Sequence, residues 1–131
     1  MNIDHIGIVV KDIKKSSTLY QKLLGFEKKS IKILDKNQKV YIQFLENNKG
    51  ERVELVQPLD ETSPSYNALT KGGGFNHICF KTKNIKKKLS NLTKEKCIVV
   101  CPPVKGAGHQ NRLIAFVVHP LMGLIELVEY K

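Results

Sequence analysis

DHIGIVVKDIKK, residues 4–15, returns as NHICFKTKNIKK at 76–87, and this echo decides how the chain is organised. A shift of 72 positions, from 5 to 77, sets His5 on His77, Ile6 on Ile78, Lys11 on Lys83 and Ile13 on Ile85. Without a gap the same register carries Ile42 onto Ile114 and Phe44 onto Phe116. It also carries RVELVQP (52–58) onto LIELVEY (124–130), so that Glu54 meets Glu126. Each half therefore separates its His from its Glu by 49 positions, 5 to 54 and 77 to 126. Self-similarity at a fixed period means one structural unit used twice.

Within a unit the pattern alternates strand and helix periods. Residues 3–10 read as a strand with Ile6, Ile8 and Val10 on one face and His5 and Gly7 on the other. Ile13, Tyr20, Leu23 and Leu24 recur at helical spacing over about 13–24, and Gly25 is a suitable stop. Strands follow near 27–34, 39–46 and 52–57, the last two joined by a turn through Asn47, Asn48 and Gly50. The second half repeats the βαβββ order: a strand at 76–82, a helix at about 84–95 carrying Ile85, Leu89 and Leu92, and strands near 97–101, 112–118 and 123–129.

The fold class is thus α+β, with two βαβββ modules at about 1–58 and 75–131 pairing into a half-open mixed β-barrel. Residues 59–74, rich in Pro, Ser and Gly, form the linker, with a short helix at 64–71 after Ser63. The expected assembly is a homodimer, and that length lets the modules pair within one chain or exchange partners across it. At 131 residues and 41% hydrophobic, one domain accounts for the whole length.

Charge and composition exclude several classes. The net charge of +10 comes from lysine, since Arg52 and Arg112 are the only arginines, and with 7% aromatic residues and no Trp a nucleic-acid partner is not indicated. The lysines instead favour an anionic small molecule. No signal peptide or roughly 20-residue apolar run is present, so the expectation is a cytoplasmic chain without a membrane partner. Cys79, Cys97 and Cys101 match no CxxC spacing and read as packing residues.

Strand parity selects the chemistry. His5, Glu54, His77 and Glu126 all oppose the apolar residues beside them, so all four leave the helix-packed face. A lone strand histidine is usually a hydrogen-bonded core residue and a lone Glu a solvated one. Repetition changes that reading, because nothing is gained by burying unpaired carboxylates twice. Two imidazoles and two carboxylates form a donor set for one divalent ion: Ni, Co, Zn, Mn or Fe(II). Among weaker candidates for substrate contact, Tyr41 and Gln43 share a face of the 39–46 strand. Arg52 shares the parity of Glu54 and suits a carboxylate or phosphate, while Lys105 and His109 lie in the Gly-flanked loop near 103–111. His119 precedes Pro120 and reads as a strand end.

At HIGIVV, KVYIQF, VELVQP, NHICF and GLIELVE the chain resembles, over essentially its whole length, the vicinal oxygen chelate superfamily. That group has the glyoxalase, bleomycin-resistance and dioxygenase fold. The resemblance implies a metal cleft with ligands on His5, Glu54, His77 and Glu126. Bacterial glyoxalase I proteins show a similar ligand set and a PVKG-like loop, matched by Pro103 to Gly106, and the leading expectation is a glyoxalase I-like lyase acting on a thiol adduct. The alternative is an isomerase resembling methylmalonyl-CoA epimerase, whose members share the Ser63-Pro64 and His119-Pro120 features and act on a thioester. Epimerases carry an acidic residue before the third strand, where this chain has Asn37, with Asp35 nearby. Either reaction removes a proton α to a carbonyl, with Glu54 or Glu126 as base. An antibiotic-binding protein without catalysis is the alternative of another class.

Overall fold

A computed structural model describes residues 1–131. The chain divides into two compact units, His5–Asn76 and Met1–Asp4 with His77–Lys131, each built from mixed β-sheet and few helices.

In the first unit, β1 (Ile3–Val9) leads to α1 (Ile13–Leu24), followed by β2 (Glu27–Lys28), β3 (Ile33–Asp35), β4 (Val40–Glu46), β5 (Arg52–Pro58) and a short α2 (Tyr66–Thr70). β5 runs parallel to β1 and antiparallel to β4, and β2 and β3 both pair with β4. The second unit contains β6 (Gly74–Thr82) from His77 onward, α3 (Ile85–Lys94), β7 (Ile98–Lys105), a 3-10 turn at Ala107–His109, β8 (Leu113–His119) and β9 (Gly123–Glu129). There β9 is parallel to β6 and antiparallel to β8, which pairs in turn with β7. The start of β1 groups with this second unit, in which Lys81 N–H donates to the Asn2 carbonyl (2.9 Å) and the Tyr130 hydroxyl to Asp4 Oδ1 (3.0 Å).

The duplication extends to individual hydrogen bonds. Asp12 caps α1 by accepting from Lys15 N–H, and 72 positions on Asn84 caps α3 by accepting from Lys87 N–H, both at 3.0 Å. The first amide of each helix would be orphaned by helix geometry and finds a side chain on the last strand of its own unit. Ile13 N–H donates to Gln57 Oε1 (2.9 Å), and Ile85 N–H to Glu129 Oε2 (3.0 Å). Gly25 ends α1 as expected, in the left-handed region at φ 71°.

Three elements differ from the sequence reading. The strand expected over 27–34 splits into β2 and β3, because Ser30 interrupts the ladder: its hydroxyl accepts from Phe44 N–H (3.0 Å) and its carbonyl from Gln43 Nε2 (3.0 Å). The strand expected over 97–101 continues to Lys105, with register shifts around Pro102 and Pro103, which have no N–H to give the ladder. The helix expected over 64–71 shortens to α2, because the Ser63 hydroxyl closes a turn with Leu59 N–H, Asp60 N–H and the Lys39 carbonyl.

Each sheet carries buried residues on both faces. In the first unit Leu45 and Leu55 pack with Ile13 of α1, whereas Val9, Val40, Ile42, Phe44 and Val56 form the core of the opposite face, met by Ala68 and Leu69 of α2. In the second, Ala115, Val117 and Leu127 pack with Ile85 and Leu89 of α3, and Cys79, Ile114 and Val128 occupy the other face. Cys79 and Cys97 are buried free thiols, in keeping with packing roles. No helix is long and apolar enough to cross a membrane.

Candidate metal centre

Parallel pairing of β1 with β5 sets Gly7 beside Glu54, and that of β6 with β9 sets Cys79 beside Glu126, the same register 72 positions on. Side chains two residues apart share a face, so each pairing brings a histidine to a carboxylate. In the first unit His5 Nε2 lies 3.4 Å from Glu54 Oε1, and in the second His77 Nε2 lies 3.1 Å from Glu126 Oε1. Relative exposures of 1% for His5, 6% for Glu54, 2% for His77 and 3% for Glu126 take all four out of solvent. These four are candidate metal-ligating residues.

An aromatic wall completes each pair. Phe44 stands opposite Glu54 on β4 and Phe116 opposite Glu126 on β8. Their rings meet His5 and His77 edge to face, at 5.2 Å and 79° and at 5.3 Å and 83° respectively. Such contacts fix imidazole orientation by packing and exclude water from one side. Phe44 and Phe116 were not singled out from the sequence as site residues, although the 72-position shift carries one onto the other and so signals them.

The donor spacing within each pair fits a shared cation. Two ligand atoms held about 2.1 Å from one ion lie about 3.0 Å apart at an octahedral edge and about 3.4 Å apart at a tetrahedral one. Separations of 3.1 and 3.4 Å fall in that range. Imidazole nitrogen with carboxylate oxygen suits a borderline divalent ion.

Other sequence candidates are placed differently. Tyr41 and Gln43 do not share the face of His5 and Glu54. Gln43 stands opposite Leu55 and Tyr41 opposite Gln57, and Tyr41 packs with Ile13 against α1. The expectation failed because β4 is buried on both faces, so alternation alone does not say which set meets the helix. Arg52 does share the Glu54 face. Its guanidinium lies 4.6 Å from the centre of the Phe44 ring and its Nε 3.9 Å from Glu46 Oε1. Lys105 is exposed at the end of β7. His109 is buried, with Nε2 3.7 Å from Glu126 Oε2. His119 ends β8, and its Nδ1 accepts from Leu121 N–H at 3.0 Å. Asn37 is exposed in the β3–β4 turn, and Asp35 closes that turn by accepting from Gln38 N–H.

The profile of the Glyoxalase/Bleomycin resistance protein/Dioxygenase superfamily matches residues 4–116. The chain belongs to this superfamily. Human mitochondrial methylmalonyl-CoA epimerase is 30% identical over 115 residues, covering 86% of this chain and 64% of that protein, so the match spans less than two thirds of the relative's length. Among solved structures, a hypothetical protein of Bacillus halodurans superimposes with a TM-score of 0.84 at 32% identity, covering 99% of this chain and 94% of that one. Methylmalonyl-CoA epimerase of Streptomyces coelicolor, in complex with 2-nitronate-propionyl-CoA, superimposes with a TM-score of 0.83 at 25% identity, covering 98% and 96%. The superfamily fold is therefore the one read from the sequence, and its epimerase branch holds relatives of this chain.

Proposed function

We propose that the two units work as one domain, that His5, Glu54, His77 and Glu126 together hold one divalent metal ion, and that the chain is an isomerase of the methylmalonyl-CoA epimerase type. The observation that carries the reading is the twice-built pair of a buried histidine and a buried carboxylate, each at a spacing suited to one cation. Likeness to epimerases over most of the chain supports this branch over the glyoxalase I-like lyase expected first. The substrate class is an acyl-CoA thioester with an acidic α-hydrogen, an anionic partner that suits a chain of net charge +10.

Inversion at a carbon α to a carbonyl needs one group to take a proton and another to return it to the opposite face. The duplication supplies two carboxylates, Glu54 and Glu126, and position 37 contributes none, being an exposed asparagine. Glu126 takes or returns the proton at a carboxylate oxygen, and Glu54 serves the other face. When bound, the metal neutralises negative charge developing on the substrate's carbonyl oxygen, an effect worth several kcal/mol at Lewis-acid sites. Phe44 and Phe116 keep water off the histidines, which strengthens electrostatic interactions beside them. Arg52, stacked on Phe44, suits a carboxylate of the substrate.

The test is proton exchange at C2 of methylmalonyl-CoA in deuterium oxide, with Co, Ni, Mn or Zn supplied in turn. Deuterium entering C2 with interconversion of the two epimers supports the reading. Turnover of a methylglyoxal–thiol hemithioacetal with inert methylmalonyl-CoA would restore the lyase reading. Inertness to both with tight binding of an uncharged drug would favour a binding protein.

A further inference from the structure

Where the two halves of the chain stop matching, the second half has gained a buried imidazole. The turn before β4 and the turn before β8 correspond under the 72-position shift, and in both a non-glycine residue adopts the left-handed region: Lys39 at φ 53° and Asn111 at φ 63°. Asn37 therefore corresponds to His109. Asn37 is exposed, whereas His109 is only 6% exposed and directs Nε2 to 3.7 Å from Glu126 Oε2. The other oxygen of that carboxylate, Oε1, faces His77 Nε2 at 3.1 Å.

Local chemistry holds the imidazole there. Gly106 supplies room: a Cβ at this position would come 2.8 Å from Ile114 Cγ2 and 3.2 Å from His109 Cδ2, so the close approach of ring and strand requires glycine. His109 N–H closes the turn on the Gly106 carbonyl (3.0 Å). Arg112 Nη1 donates to the His109 carbonyl (3.4 Å) and to Gln110 Oε1 (3.0 Å), with its guanidinium 4.3 Å from the centre of the Tyr130 ring. The Tyr130 hydroxyl is in turn anchored on Asp4. These contacts fix the backbone of the turn from which the His109 side chain projects.

We propose that His109 is a positioning residue for Glu126. Its Nε2 faces Oε2 from 3.7 Å, beyond hydrogen-bond length, and the donor it offers there draws that oxygen toward the imidazole while Oε1 is left to the His77 side, setting which carboxylate oxygen is turned to the metal and which to the substrate proton. A carboxylate rotates freely unless both oxygens are engaged, and catalytic groups lose rate when held loosely. The consequence for turnover rests on the isomerase reading above. The orientation of Glu126 does not.

Two variants separate a hydrogen-bonding role from a packing role, because His109→Phe keeps the ring and removes the donor, whereas His109→Gln keeps a donor and removes the ring. Each is loaded with Co(II), and its visible ligand-field spectrum and its kcat and KM for methylmalonyl-CoA are compared with the parent. The proposal expects His109→Phe to shift the Co(II) bands and to lower kcat at least tenfold with KM within twofold, while His109→Gln restores the spectrum and brings kcat within threefold of the parent. A parent-like Phe variant, or equal losses in both variants, overturns it. If the parent itself does not turn over methylmalonyl-CoA, the isomerase reading falls. The spectra then decide alone: a shift in Phe that Gln reverses sustains the positioning role, and any other pattern removes it.

Discussion

Glu54 and Glu126 occupy equivalent points of their strands, and the His109 imidazole stands beside the second of them. Glu126 lies between two imidazoles, His77 and His109, and Glu54 lies beside His5. Replacing Gly106 with Ala should cost about 1–3 kcal/mol through overpacking against Ile114, read as a lower urea midpoint with an unchanged m-value. Tyr41→Phe tests the corrected face of β4. With the ring packed on the α1 side, loss of its hydroxyl should leave kcat and KM within twofold, and a tenfold loss would return Tyr41 to the site. At this scale the sequence was legible where the repeat spoke, in the meeting of His5 with Glu54 and of His77 with Glu126, and illegible where it did not. Alternation separates Tyr41 and Gln43 from Val40, Ile42 and Phe44, but the pairing of Gln43 with Leu55 decides which set meets the helix. That pairing is long-range.

At the scale of elements, the duplicated strand, cap and helix is the unit that was inherited twice. Asp12 and Asn84 each satisfy one amide of the first turn, so Asp12→Ala and Asn84→Ala should each destabilise by about 1 kcal/mol, measured by urea unfolding. A loss confined to one half would show that the two caps are not equivalent. β1, α1, β4, β5, β6, α3, β8 and β9 stand near their expected bounds because periodicity and stop signals agree over their length. The 27–34 segment did not, since a single serine hydroxyl standing in for a ladder partner leaves no mark in the hydrophobic pattern. Nor did the run of 97–105, where β-branched residues before two prolines read as a strand end although the bulged edge carries it onward.

For the whole molecule, one ion shared by both halves would tie their stabilities together. A ligand that binds only the folded state stabilises it by mass action, about 2.7 kcal/mol at a free concentration one hundred times its Kd. Chelation should therefore lower the midpoint of thermal unfolding, and adding back Co or Ni should restore it. The most direct test of the shared ion is metal stoichiometry by equilibrium dialysis with elemental analysis of the parent, Glu54→Gln and Glu126→Gln chains. A single ion per chain in the parent, with affinity reduced at least tenfold by either substitution alone, is the predicted result. Two independent ions per chain, or a Glu54→Gln chain that binds metal as tightly as the parent, would contradict the account.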